Sequence, residues 1–229
     1  MALYAIGDLH LCLGAPKPMD VFGGAWVGYM DKLRQGLAGI GPEDTTVLLG
    51  DLSWALDLQS AKADFAWINA IPGRKIILKG NHDYWWSTSA KFQKFCAENG
   101  FENLNLLNNN CYFYEDWAIC GTRGWFFEEQ RSGQHDEKVF KRELIRLETS
   151  LKAAQDRQKM VFLHYPPRYR GYLCQEILDL LKAYEVRRCF YGHLHGGSHA
   201  LAMEGQWNGV EYRLVSADYL NFRPFPVIL

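Results

Sequence analysis

Five short apolar runs in this chain end abruptly in Asp, Asn or His, and this repeated ending constrains the fold more than any other feature. Leu3 to Ile6 runs through Gly7 into Asp8-Leu9-His10, and "TTVLL" runs into Gly50-Asp51. "KIILK" leads to Gly80-Asn81-His82-Asp83, "KMVFL" to His164, and "RRCFY" to Gly192-His193-Leu194-His195. Short apolar runs bounded by turn formers read as buried strands. Helical patterns lie between them. Trp26, Met30, Leu33 and Leu37 recur at helical spacing and predict a helix over about Ala25 to Ala38. "SAKADFAWINAI" predicts another, stopped by Pro72-Gly73. Further helices are predicted over 88–98, closed by Gly100, over 136–155, where Glu137 precedes Lys141 by one turn, and over 174–184. "VEYRLVSA" alternates and predicts an antiparallel strand, and the prolines of "RPFPVIL" restrict that segment to a sheet edge. Strands alternating with helices specify an α/β architecture around a buried sheet, with residues 1–229 as one domain.

In open α/β sheets the C-terminal ends of the strands line the ligand crevice, so five polar clusters at such ends converge on one site. The chain has 7 His, and all but His135 and His199 fall in these clusters. Imidazole nitrogen, carboxylate and amide oxygen, without Cys, form a donor set suited to divalent Mn, Fe, Zn, Co or Ni rather than to a closed structural zinc site. In Asp8-Leu9-His10 and His193-Leu194-His195 the paired residues are two apart, which in extended backbone points both side chains the same way.

In order, DxH, GD, GNHD, H and GHxH resemble the signature of the calcineurin-like metallophosphoesterases, from Asp8 to His195. The resemblance implies a four-layer α/β/β/α sandwich of two mixed sheets with two metal sites at one edge. Asp8, His10, Asp51 and His195 would hold one ion, and Asp51, Asn81, His164 and His193 the other, with Asp51 as the bridge. The chain departs from the serine/threonine protein phosphatase branch. It has "GDLSW", with Trp54 three residues after Asp51, and GNHD where that branch carries GNHE.

Two ions about 4 Å apart can share a water, lower its pKa and present hydroxide for in-line attack on phosphorus. His82, next to the ligand Asn81, is the candidate general acid, with Asp83 expected to orient it and keep it protonated. The expected activity is a metal-dependent phosphohydrolase acting on a small phosphomonoester or phosphodiester, with two divalent ions, manganese among the candidates, as cofactors. The competing reading is a non-catalytic metal-binding scaffold on the same fold, but such a protein should lack a ligand in some motif, and every position is filled here.

Substrate choice must come from residues around the motifs. Arg123 reads equally as a clamp on phosphate or as a surface ion pair, and Arg168 and Arg170 are weaker candidates. Trp54, Tyr84, Trp85, Trp86, Trp125, Phe126 and Phe127 either stack on a flat substrate group or pack as wall. Loops 11–24 and 124–136 are the candidate lids. A net charge of −1 argues against a nucleic-acid groove. The six Cys form no CxxC pair, which favours free thiols in a reducing compartment. No apolar run reaches the roughly 18 residues of a membrane span, and the N-terminus does not read as a signal peptide, so the expected location is the cytoplasm.

Overall fold

Successive residues of the predicted strands bury in different layers. In the computed structural model, which describes residues 1–125, 134–169 and 171–229, Leu3 and Ala5 of β1 (Leu3–Ile6) face one apolar core, while Ile6 faces another. Val47 and Leu48 of β2 (Thr45–Leu48) divide in the same way, as do Ile76 and Ile77 of β3 (Arg74–Ile77). A strand buried on both sides needs cover on both sides, so the apolar runs dictate a layered structure.

The first sheet places β1, β2, β3 and β4 (Leu104–Leu106) side by side and parallel. The second contains β5 (Tyr112–Tyr114), β6 (Trp117–Thr122), β7 (Gln158–Leu163), β10 (Arg188–Tyr191), β11 (Gly205–Trp207) and β12 (Val210–Leu214). A small hairpin of β8 (Arg168–Tyr169) and β9 (Tyr172–Leu173) stands apart from both. The last strand, β13 (Phe225–Ile228), returns to the first sheet and pairs antiparallel with β1 at its edge. Both sheets are mixed, because β5 and β11 pair antiparallel at the margins of an otherwise parallel second sheet.

Three apolar cores fill the spaces between four layers. Val47, Leu49, Ile76, Ile119, Met160, Phe162 and Phe190 pack between the sheets. The helices α1 (Tyr29–Leu37), α2 (Lys62–Ala70) and α3 (Ser89–Asn99) cover the outer face of the first sheet with Leu33, Phe65, Ile68, Phe92 and Phe95. On the second sheet, α4 (Gln134–Ala153) and α5 (Gln175–Ala183) bury Leu147, Leu151, Ile177 and Leu181. The four-layer sandwich of two mixed sheets is the expected fold.

Local differences from the sequence reading have physical causes. The predicted helix from Ala25 is interrupted: Gly24–Trp26 forms a 3-10 turn, Gly28 turns left-handed (φ 64°), and α1 begins only at Tyr29. "VEYRL" pairs parallel with β10 and antiparallel only with β11, because alternation reports which face is buried and not the direction of the neighbour. The helix α3 matches expectation at both ends, with Thr88 Oγ1 accepting from Lys91 N at 3.3 Å and Gly100 left-handed at its C-terminus. The six cysteines are free thiols. Among the described residues, no helix is long and apolar enough to cross a membrane. Phe126, Phe127, the His135 side chain, Arg170 and most of the 124–136 loop lie outside the described residues.

Candidate metal centre

The turns after β1, β2 and β10 put polar residues into left-handed backbone: Asp8 (φ 61°), His10 (φ 47°), Asp51 (φ 51°) and His193 (φ 72°). Such conformations are costly for non-glycine residues and persist only where surrounding structure fixes them. Here the fixing contacts are hydrogen bonds. Asp8 N donates to Gly50 O at 2.9 Å, and His10 N donates to Asp51 O at 2.9 Å. Glycines admit the carboxylates. A Cβ on Gly192 would stand 2.6 Å from Asp8 Oδ2, and one on Gly80 2.1 Å from Asp51 Oδ1. Only hydrogen at these positions lets backbone and carboxylate approach so closely.

The structure brings Asp8, His10, Asp51, Asn81, His164, His193 and His195 to one place. His195 Nε2 lies 3.4 Å from His10 Nε2 and 3.5 Å from Asp8 Oδ1. Asp51 Oδ2 stands 3.9 Å from His10 Nε2 and 3.6 Å from His164 Nε2. His164 Nε2 is 2.6 Å from Asn81 Oδ1, and the His193 ring centroid is 5.1 Å from that of His164. Ligand atoms of Asp8, His10 and His195 converge within 4.8 Å, as do those of Asp8, Asp51 and His164. These two clusters are positioned to chelate two divalent ions.

The donor set fits metal. Asp8 is fully buried, yet its Oδ1 has no hydrogen-bond partner. His164 Nδ1 donates to Leu49 O at 3.0 Å, so its Nε2 turns a lone pair toward Asn81 Oδ1, where two acceptors meet. His195 Nδ1 is engaged by Asp218 Oδ1 at 2.9 Å, which turns its Nε2 toward His10 Nε2 and Asp8 Oδ1. Converging acceptors without a donor are resolved by a cation.

Charge balance within the protein points the same way. Burial, with Asp83 and Asp8 adding to it, pushes the Asp51 carboxyl well above the usual range. Burial also opposes ionisation of Asp8, but the charges of His195, His164 and His10 hold it below its ordinary value. Burial and the neighbouring His164 push His193 down to about 3. Burial lowers His195 too, but Asp8 and Asp218 outweigh it and raise the ring to about 10. The site thus concentrates carboxylates and imidazoles away from water, with His195 held protonated by Asp8 and Asp218 in the place a cation would take.

The local geometry bears on the sequence readings of Asp83, Trp54, Trp85 and Arg123. Asp83 does not orient His82. Its carboxylate accepts from Gly80 N (2.7 Å), Asp51 N (2.8 Å), Leu52 N (2.9 Å) and Trp85 Nε1 (2.9 Å), so it braces the loops after β2 and β3. Trp54 offers no free face for stacking, since His10 stacks on it at 4.7 Å and Lys17 Nζ sits 3.3 Å from its ring centroid. Trp85 is buried edge-on against Phe65 in the helix-side core. Arg123 is not among the residues lining the cavity above the site. Its Nη2 lies 3.5 Å from the buried Glu143, and its guanidinium is 5.2 Å from the Trp125 ring centroid.

Asp218 escaped the sequence reading, and Tyr84 was read only as a stacking or wall residue. Asp218 holds His195 Nδ1, accepts from Gly196 N at 3.0 Å and lies 3.2 Å from His199 Nε2. It follows the apolar end of β12 in "LVSAD", so the signal that marked the five clusters marks it as well. Tyr84, exposed at the rim, places its hydroxyl 3.4 Å from His82 Nδ1.

A family model for calcineurin-like phosphoesterases matches residues 1–197. The chain belongs to the calcineurin-like phosphoesterase family, and its His/Asp clusters are arranged as in the dinuclear, metal-dependent phosphohydrolase site of that family. No curated protein matches the sequence. Among solved structures, phosphopantetheinyl hydrolase (PptH) from Mycobacterium tuberculosis is similar in fold, with a TM-score of 0.60 at 13% identity, covering 99% of this chain and 95% of that one. A protein of unknown function, AQ665 from Aquifex aeolicus, is similar with a TM-score of 0.51 at 16% identity, covering 98% and 95%. Identities this low establish a shared fold.

Proposed function

We propose that the whole chain is one catalytic domain that hydrolyses a small phosphate ester, monoester or diester. Asp8, His10, Asp51 and His195 would hold one divalent ion, and Asp51, Asn81, His164 and His193 the other. The observation that carries this reading is Asp51 Oδ2, which faces one imidazole of each set, His10 at 3.9 Å and His164 at 3.6 Å. Bound there, a divalent pair supplies Lewis acidity toward phosphoryl oxygens and activation of water.

The chain's own residues do the rest. Asp83 fixes Gly80, Asp51 and Leu52, and through them the bridge. Asp218 and the Leu49 carbonyl fix the ring orientations of His195 and His164. His82 lines the cavity, its N–H donates to Asp51 Oδ1 at 2.7 Å, and its Nδ1 lies beside the Tyr84 hydroxyl. Its Nε2 is the atom that would give a proton to the leaving oxygen. Burial, His164 and Lys17 push this ring down to about 4. An anionic ester beside it acts in the opposite sense and favours the protonated form. Arg123 is read as a brace between its loop and α4.

The test is hydrolysis of p-nitrophenyl phosphate against bis-p-nitrophenyl phosphate, with Mn, Ni, Zn or Mg added after chelation. Metal-dependent turnover that disappears in Asp51→Asn supports the bridged pair, and the preferred ester decides between monoester and diester. Bound metal with no turnover of any ester would favour the scaffold reading.

A further inference from the structure

The cavity over the metal centre holds about 560 Å³ and is lined by two chemically different sets of residues, which meet where Trp26 lies edge-on to His10 and His195. His10, Asp51, His82, His193 and His195 form one, with His199 and Asp218 beside them. The other comprises Met19, Phe22, Gly23, Gly24, Ala25 and Trp26, none of which carries a charged side chain. Met19 and Trp26 are buried and anchor this wall, whereas Phe22 is 63% exposed beside the cavity. Gly23 (φ 63°) and Gly24 (φ 56°) adopt left-handed backbone, and a Cβ on either would meet nothing within 4 Å. The wall therefore leaves open space next to an uncovered phenyl ring. Trp54 does not compete for a ligand, since His10 and Lys17 already lie against it.

We propose that the organic group of the substrate is uncharged and apolar, aryl or branched alkyl, and that Phe22 is the specificity-determining residue that covers it. The inference rests on the phosphohydrolase reading and names its substrate class. A phosphoryl group bound at the floor leaves its ester arm directed at the wall. A charged or heavily hydroxylated arm placed there would lose water without finding partners on these side chains. An apolar arm gains by leaving water, and so does the Phe22 ring it covers.

Binding of phenylphosphonate and methylphosphonate to the Mn-loaded protein, measured by calorimetry, tests this without turnover, because neither ligand has an ester bond to cleave. In the unaltered protein phenylphosphonate should bind at least about tenfold more tightly, the scale expected for burying a phenyl ring against apolar surface. Phe22→Ala should reduce that ratio to about twofold or threefold. Val21→Ala, one residue away, 75% exposed and not lining the cavity, should keep it. Phe22 is itself so exposed that its truncation leaves the fold intact. Equal affinities in the unaltered protein, or a ratio that survives Phe22→Ala, would overturn the inference while leaving the phosphohydrolase reading standing. Esters turned over by a protein that does not bind phenylphosphonate would overturn it as well. Failure to bind either phosphonate and to cleave any ester would defeat both.

Discussion

Below the cavity, the Asp83 carboxylate takes four hydrogen bonds of 2.7 to 2.9 Å and ties the turns after β2 and β3 together. Across from that floor, two 3-10 turns, Met19–Phe22 and Gly24–Trp26, meet at glycines in left-handed backbone, with Phe22 and Val21 open to solvent. One region fixes atoms through buried polar contacts, which are costly to disturb. The other is held through Met19 and Trp26 and leaves its tip uncovered. The difference separates two tasks. Every phosphate ester presents an anionic tetrahedral phosphorus with free oxygens for the ions, so the floor can be rigid. Esters differ in their organic arm, and the less constrained wall meets that arm.

Substitutions sharpen or break this contrast. The largest effect is expected from Asp51→Asn, which removes charge between the two ligand sets and should lower kcat roughly a thousandfold, the scale of several kcal/mol of lost charge stabilisation. Metal analysis of the purified variant should show less than the full complement. His82→Ala should lower kcat about a hundredfold or more while the metal content stays whole, because the ring lies beside the ligands. If metal is lost in proportion to activity, His82 belongs to the floor and not to proton transfer. For Asp218→Asn the expected change is an approximately 10- to 100-fold weaker metal affinity, read by competition with a chromogenic chelator, since among the proposed ligands only His195 loses its support. The smallest effect belongs to the wall. Gly24→Ala should lower the melting temperature by about 2–4 °C, the cost of roughly 1 kcal/mol for a side chain at positive φ. A larger drop would show that the wall is as firmly built as the floor.

Much of the floor was legible because one signal repeats, an apolar strand that stops at a metal-binding residue type. That signal located Asp8, Asp51, Asn81, His164, His193 and His195 before any geometry was known. Asp218 carries it too, but "SA" intervenes and the residue lies beyond the last recognisable motif. Asp83 was found but misread. Its side chain turns inward to backbone N–H groups, and spacing alone does not say which way a turn residue points. The second sheet's edges were harder to read. Three-residue strands such as β4 and β5 are too short to show a period, and the parallel pairing of β12 depends on a partner more than twenty residues earlier. The wall was read as an irregular loop on its glycines and prolines, and the two 3-10 turns depend on where Met19 and Trp26 find burial.

The two sheets also meet at the metal centre. Gly7 N, after β1, donates to Val215 O, after β12, at 2.8 Å; Leu49 O receives Nδ1 of His164; and Asp8 Oδ2 receives His193 N at 2.9 Å. Neither sheet alone holds all the residues proposed to bind either ion. A chain that has opened along this seam cannot keep its ions, so loading and folding are thermodynamically linked. For each bound ion, a tenfold rise in free ion above its dissociation constant adds about 1.4 kcal/mol to the stability of the closed form. The supply of divalent ions would then bear on how firmly the two sheets stay closed as well as on turnover.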